Sequence, residues 1–444
     1  MSRYTREDIL RMVEDEDVGF IRLQFTDVFG TMKNVAITAS QMESALANSC
    51  SFDGSGIDGF VRIEEEDMFL YPDLDTFRIV PWRPQTGKVA RLICDIRDRS
   101  GNPFSGDCRH VLKKVIREAA DMGYYLYVAP ECEFCVFPCD SDGEIMLETR
   151  GNASYFDVAP LDTGENVRRD IILTLEDMGI GVKSSFHEHS PYQHEIDLLP
   201  ANALLAADNI TTFRMVARTI ALRHGLHATF MPKPKNDSDG CGMHLKMMLQ
   251  DMEGNNIMAD ESDPYGLSAV GYSFMAGVME HIRGLSAITN PLINSYKRIC
   301  PGNEAPAYIA WSRGNRSPLI SVPGTRPDNT HIELRNPDPS MNPYLAIAGI
   351  LAAGLDGIRR GLKPGPATEK NLCVLSEEEC AALGLKRLPD SLSAAIAELN
   401  ADPLLLSVLG EHISSKYIRS KTREIDDYLA YVTDWEVNQY LHKF

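Results

Sequence analysis

"SFDGSGIDGF", residues 51–60, decides between two folds. Its G-S-G-I-D-G core fits the GxGxxG fingerprint with which a Rossmann βαβ unit holds a pyrophosphate. That fingerprint works only where it follows a strand and opens a helix, because the helix N-terminus supplies the phosphate donors. Here the chain runs on as "FVRIEEEDMFLYPDLDTF", with no helical entry and a turn expected at Pro72. The dinucleotide reading therefore fails its own context test. What remains is a small, flexible, acidic loop that presents Asp53.

Outward from that loop the first hundred residues read as mostly β. "FIRLQFTDVFGTMKNVAI" is two alternating strands around a Gly-containing turn, and "VARLICDIRD" is a further strand. "RSGNPFSGD" is a linker that places a boundary near residue 105. Beyond it helical periods alternate with short strands. "DCRHVLKKVIREAADMG" has Asp107 as N-cap and stops at Gly123; "GENVRRDIILTLEDMG", "NITTFRMVARTIALRHG", "LSAVGYSFMAGVMEHIRGL" and "NPYLAIAGILAAGLDGIRRG" follow. The expectation is an α+β protein with a β-rich domain over 1–105 and a larger domain over 106–444.

The net charge of −19 argues against a nucleic-acid backbone as partner. The N-terminus carries acids where a signal peptide needs an apolar stretch, and the apolar run Tyr344–Leu355 is too short to span a bilayer, so a cytoplasmic protein is expected. The array Cys132, Cys135, Cys139 has the look of a metal–thiolate motif. Its segment, however, reads as a strand on which Cys132 and Cys135 face opposite ways, so small core residues are expected instead.

Four segments place charge inside apolar strand patterns. In "VAPECEFCVF", Glu131 and Glu133 share a face; "FHEHSPYQHEIDL" offers Glu188 and Glu195 either side of a turn. In "GCGMHLKMML" His244 enters an apolar strand, and in "THIELRNPDP" His331, Glu333 and Arg335 share a face. Singly, each pattern suits a solvated edge or a core histidine. Together they demand compensation, because buried charge is expensive, and hard oxygen-ligated cations such as Mg²⁺ or Mn²⁺ supply it. Arg298, Arg313 and Arg316 lie in neighbouring segments as carboxylate or phosphate binders. No G-x4-G-K-[ST] is present, so any use of ATP belongs to another fold than the P-loop one.

The order of "FDGS", "GFVRIEE", "PECEF", "QHEID", "GLHATFMPKP", "GMH", "NSYKR", "NRSPLI" and "NPYLA" resembles type I glutamine synthetase over nearly the whole chain. The resemblance implies an N-terminal β-grasp domain, a catalytic domain on a curved antiparallel sheet, and a homo-dodecamer of two hexameric rings with active sites between neighbours. It implies that ATP phosphorylates the γ-carboxylate of glutamate and that ammonia displaces the phosphate. By position, Glu133, Glu188 and Glu195 would hold one Mg²⁺ or Mn²⁺, and Glu131, His244 and Glu333 the second. Arg298, Arg335 and Gly240 would hold glutamate, and Arg316 the transferring phosphoryl group. Glu304 would ride a flap over the intermediate. Asp53, from the adjacent subunit, would take a proton from ammonium, with Tyr155 bordering that cation. Arg62 would mediate feedback by glutamine, Cys373 replaces the tyrosine that is adenylylated in a longer subgroup, and "DWEVNQYLHKF" would pack between rings.

The departures from the family pattern cluster. Gly56 stands for a serine, Asn303 for a tyrosine and Asp239 for an asparagine in the loops around glutamate and ammonium. At the nucleotide end Lys183 stands for an acid, Phe186 for a histidine, Lys246 for a small polar residue or histidine, and Ser321 and His331 for arginines. Two other readings stay open: a γ-glutamyl ligase for another small amine, and a weakly active or inert paralogue with a structural or regulatory role.

Overall fold

A computed structural model of the chain describes residues 3–60, 66–147, 152–236, 238–299, 305–324 and 329–444. Arg62 and Glu304, assigned above to regulation and to the flap, lie outside the described residues.

The alternation at the N-terminus becomes a hairpin of Val18–Thr26 with Met32–Thr38, antiparallel, with Ile21, Leu23 and Phe25 turned into the core. Asp27 closes its turn by accepting from the backbone N–H groups of Phe29 (3.0 Å) and Thr31 (2.8 Å). Gly30 adopts φ +85°, the left-handed region that glycine enters freely. Lys88–Arg97 pairs parallel to the first strand, and Met68–Ile79 with Ser51–Phe52 completes a five-stranded sheet. Pro72 is not a turn. It sits within the Met68–Ile79 strand opposite Cys94, and the irregularity comes just after it, between Asp73 and Arg78. A proline lacks only the N–H, so a strand tolerates it where a bulge disrupts the ladder anyway.

The hairpin turn is bound to the larger domain. Asn342 caps the helix Pro343–Arg360 and donates from Nδ2 to the carbonyls of Asp27 (3.2 Å) and Val28 (3.1 Å). Nearby, the buried Arg109 makes a fork to Asp208 (3.0 and 2.8 Å) and reaches Asp95 and Asp73 (2.8 Å each), bridging the N-terminal sheet and the helix Ala203–Arg223 of the larger domain. One apolar core runs from Ile9 to Tyr417 across the expected boundary.

Among the described residues the larger sheet has nine strands and is antiparallel apart from one short parallel pair, Trp311–Ser312 with Ile320–Ser321. Its central strand is Tyr125–Pro138, flanked by Gln193–Leu198 on one side and Met243–Gln250 on the other. Strand periodicity sorts the residues. Cys132, Phe134, Ile196, Leu245, Met247, Ile332 and Leu334 face back into the core, each wholly buried or nearly so. The charged residues between them face the other way. Behind the sheet lie helices Ala203–Arg223, Ala269–Thr289 and Pro343–Arg360, the last two packed with unusual closeness: a Cβ on Gly277 would lie 2.1 Å from the Ala353 carbonyl oxygen. The run Tyr344–Leu355 is a buried core helix, and no single helix among the described residues is long and apolar enough to cross a membrane.

Candidate active site

The register of four strands assembles the site. Glu131 stands opposite Asp197 on one neighbour and His244 on the other; Glu133 stands opposite Glu195. Lys246 stands opposite Glu333 across the next pairing. These side chains line a cavity of about 670 Å³ with Glu188, Gly240, Arg298, Arg316, Arg335 and Tyr155. Every metal- and substrate-binding residue expected above is thus at one place, as is Arg316. Asp53 is exposed on its loop, where Oδ1 accepts from the Ser55 N–H (2.8 Å), and it does not line the cavity of its own chain.

Like charges placed directly across a ladder repel, and here they are also buried: Glu133, Glu195 and Asp197 are each less than 8% exposed. Burial, then Glu133 and Asp197, push the carboxyl of Glu195 up to about 12. Burial and Arg335 push His244 down to about 4, leaving it neutral and able to offer a lone pair. Glu333 goes the other way: burial would raise it, but His244, Arg335 and Lys246 outweigh that and lower it. Two sets bring their ligand atoms within 4.8 Å of one another: Glu131, His244 and Glu333, and Glu131, Glu195 and Asp197. Asp197 Oδ1 is buried without a hydrogen-bond partner among the described residues. An oxygen-rich, under-compensated cluster of this kind fits a hard divalent cation. Glu133 and Glu188 line the cavity beside it; Glu133 Oε2 accepts from Gln193 Nε2 (2.7 Å) and the Gly242 N–H (2.9 Å). A third set, Asp162, His187 and His194, already contains a cation, since Arg168 Nη1 reaches both Asp162 (2.8 Å) and His194 Nδ1 (2.9 Å).

The cationic wall is held by backbone. Arg298 is 4% exposed and donates to the carbonyls of Asn336 (2.9 Å), Pro337 (3.3 Å) and Arg335 (3.2 Å). Arg335 Nη1 bonds Glu333, while its Nε has no partner among the described residues. The loop Asp239–Gly242 needs its glycines: a Cβ on Gly240 would lie 2.7 Å from Arg298 Cγ, and one on Gly242 would lie 2.6 Å from Arg298 Nη2. Asp239 is paired with Ser190, whose Oγ lies 3.2 Å from Oδ2 and accepts from the Asp239 N–H at 2.7 Å. Opposite, Tyr155 stacks on His189 (4.3 Å, 12°), with Phe156 against Phe186.

Of the departures, Lys183, Phe186, Lys246, Asp239 and Cys373 line the cavity. Ser321, buried opposite Glu333, and His331, bonded through Nδ1 to the Asn329 carbonyl (2.6 Å), are not among its lining residues. Gln193, Asp197 and Gly242 were not singled out from sequence. The period-two run Gln193, Glu195, Asp197 carried the signal for two of them.

Comparisons with known proteins identify the family. The family model described as "Glutamine synthetase, beta-Grasp domain" matches residues 17–99, and "Glutamine synthetase, catalytic domain" matches 105–440. A glutamine synthetase of Clostridium saccharobutylicum is 52% identical over 444 residues, all of both chains, and one of Staphylococcus aureus is 49% identical over 99% of each. Among solved structures, a GmaS/ADP complex superposes with TM-score 0.89 at 30% identity, covering 98% of this chain and 99% of its own. The Plasmodium falciparum glutamine synthetase has the same fold, with TM-score 0.87 at 24% identity over 99% of both chains. With family matches over both domains and full-length relatives near half identity, the chain belongs to the glutamine synthetase family.

Proposed function

We propose that the chain is an ATP-dependent glutamate–ammonia ligase that forms glutamine through γ-glutamyl phosphate. The observation that carries this is the single cavity in which strand register gathers acidic ligands on one side and Arg298, Arg316 and Arg335 on the other. Phosphoryl transfer asks for charge neutralisation and alignment more than for covalent chemistry, and this cavity supplies both. A divalent cation, Mg²⁺ or Mn²⁺, would be held by Glu133, Glu188 and Glu195, with Asp197 beside them; when bound it draws charge off the phosphates. Glu131, His244 and Glu333 form the second cation position.

Arg298, fixed by three carbonyls, and Arg335 would bind the carboxylates of glutamate, with the Gly240 backbone bordering it. Arg316, exposed at the rim, would meet the transferring phosphoryl group. Glu304 would shield the acyl phosphate from water. Asp53 is exposed and does not line the cavity of its own chain, so it would serve a neighbour's, and the working unit would be an oligomer, the homo-dodecamer expected from the family, with Tyr155 at the shared ammonium end. Domains of 1–105 and 106–444 would then have separate tasks, the first lending Asp53 and Arg62, the second holding the cavity. ATP and glutamate as co-substrates place the reaction in the cytoplasm.

The test is ATP-dependent phosphate release from the full chain with Mg²⁺ and glutamate. Release stimulated most by ammonium supports the proposal. Stimulation by methylammonium above ammonium, or no release with either, would refute it.

A further inference from the structure

The two cation positions are not equivalent. Lys246 follows His244 by two residues on the Met243–Gln250 strand, so both side chains stand on the cavity face. Lys246 stands opposite Glu333, and its Nζ is bonded to Glu131 Oε1. Arg335 Nη1 is bonded to Glu333 Oε1. Both carboxylates of the second position are therefore matched by cations of the chain itself, in a place where little water screens them: Glu131 and Glu333 have side chains 13% and 8% exposed. At the first position ring nitrogens approach the carboxylates less closely: His189 Nδ1 lies 3.5 Å from Glu188 Oε2 and His244 Nε2 lies 3.8 Å from Glu133 Oε1. Glu195 and Asp197 face Glu131 and Glu133 across the ladder, and Asp197 Oδ1 has no partner among the described residues.

A divalent ion entering the second position would have to displace the Lys246 ammonium from Glu131 and then sit beside it. Coulomb repulsion between charges a few ångströms apart in a low-dielectric cleft opposes that strongly. We propose that Lys246 is a tethered cation that takes the place of a metal ion at Glu131, His244 and Glu333, so that the resting site binds one divalent ion, at Glu133, Glu188 and Glu195, rather than two. The transferring phosphate then meets a lysine ammonium on that side of the cavity. This inference rests on the ligase reading only for the nature of the first ion.

The experiment is Mn²⁺ binding to the purified full-length chain without nucleotide, by equilibrium dialysis and by electron paramagnetic resonance. Wild type is expected to bind one Mn²⁺ per chain with an isolated-ion spectrum. Lys246→Asn should bind two, with the exchange broadening of a close Mn²⁺ pair, and Lys246→Arg, which keeps the charge, should stay at one. Two ions in wild type, or one ion in a folded Lys246→Asn, would overturn the proposal. Should Lys246→Asn fail to fold, two ions in Lys246→Arg would overturn it equally. Binding of no ion by any variant would refute the metal assignment of the preceding section as well, so the two failures are distinguishable.

Discussion

Gly242 sits where the acidic and cationic walls meet, and adding a single methyl group there tests the site's geometry directly. Its N–H donates to Glu133 Oε2 (2.9 Å) and its carbonyl accepts from the Glu133 N–H (3.2 Å), so the backbone is held on both sides. Its φ is outside the left-handed region, so alanine meets no backbone strain and gains about 0.4–1 kcal/mol from a less flexible unfolded chain. Against that, the new Cβ would lie 2.6 Å from Arg298 Nη2 and 3.0 Å from both Glu133 Oε1 and His244 Nε2. None of the three can yield cheaply. Arg298 is tied to three carbonyls, and each hydrogen bond from a charged group that is lost costs roughly 1.5–3 kcal/mol. Overpacking of this kind costs about 1–3 kcal/mol in all. For Gly242→Ala we expect a lower melting temperature and, because the displaced group is the proposed glutamate clamp, a KM for glutamate raised about 10- to 100-fold, tenfold for each 1.4 kcal/mol. Steady-state kinetics with glutamate varied, beside a thermal melt, measures both. A variant with unchanged KM and unchanged melting temperature would show that Arg298 is not held against this loop.

Other outcomes follow from the same structure. Arg109→Met leaves Asp73, Asp95 and Asp208 without their shared partner and should destabilise the chain by about 3–5 kcal/mol in urea unfolding; a change under 1 kcal/mol would remove the Arg109 cluster as the link between the N-terminal sheet and the helix Ala203–Arg223. His281 lies between Asp402 (2.6 Å) and Asp356 (3.2 Å); burial would lower its pKa, but those hydrogen bonds outweigh it and raise it. A raised folded pKa gives stability that is full below the unfolded value near 6.5 and fades as pH rises through the folded value, so the stability gap between wild type and His281→Asn should narrow above pH 6.5. A pH-independent gap would contradict that assignment. Asp53→Ala and Glu133→Gln should each be inactive as pure oligomers, whereas hybrids reassembled from equal amounts should recover up to about one quarter of wild-type activity, because one junction in four pairs two intact halves. Hybrids as inactive as their parents would refute a site shared between subunits.

Much of the site was legible because strands announce their faces. Glu131 with Glu133, and Glu333 with Arg335, are two residues apart within apolar runs, and each pair does stand on the cavity face. The grouping of ligands was less legible, because it depends on cross-strand register. That Glu131 meets Asp197 and His244 is set by how three strands slide against one another, and no one segment records it. Asp197 continues the period-two run of Gln193 and Glu195, which marks its face, but the strand is buried along its whole length and the run reads singly as part of the core. Gly242 was hidden for another reason: its requirement lies in Arg298, more than fifty residues away, and not in its own backbone. The helix Ala203–Arg223 begins six residues before the expected "NITTF", because Asn202 caps it by accepting from the Leu205 N–H (3.1 Å). Asn202 is an N-cap signal that the later apolar period overshadowed.

The sheet carries its acids at a cost, and the cost has a measurable sign. In either protonation state Glu195 works against folding: charged, it faces Glu133 and Asp197 from a buried position; neutral, it holds a proton that the unfolded chain would release at pH 7. The back face, with Phe134, Ile196 and Leu245 fully buried, offsets that burden. Removing the carboxylate should therefore stabilise the protein while damaging its function. Glu195→Gln keeps the shape, and in EDTA it should unfold at a higher urea concentration than wild type, by roughly 1–3 kcal/mol. Addition of Mg²⁺ should reverse the order, since an ion that binds only the folded chain stabilises it by RT ln(1 + [L]/Kd) and the glutamine variant has lost a ligand. If Glu195→Gln is the less stable protein in EDTA, the acids are already compensated within the chain and the cavity has no need of a cation.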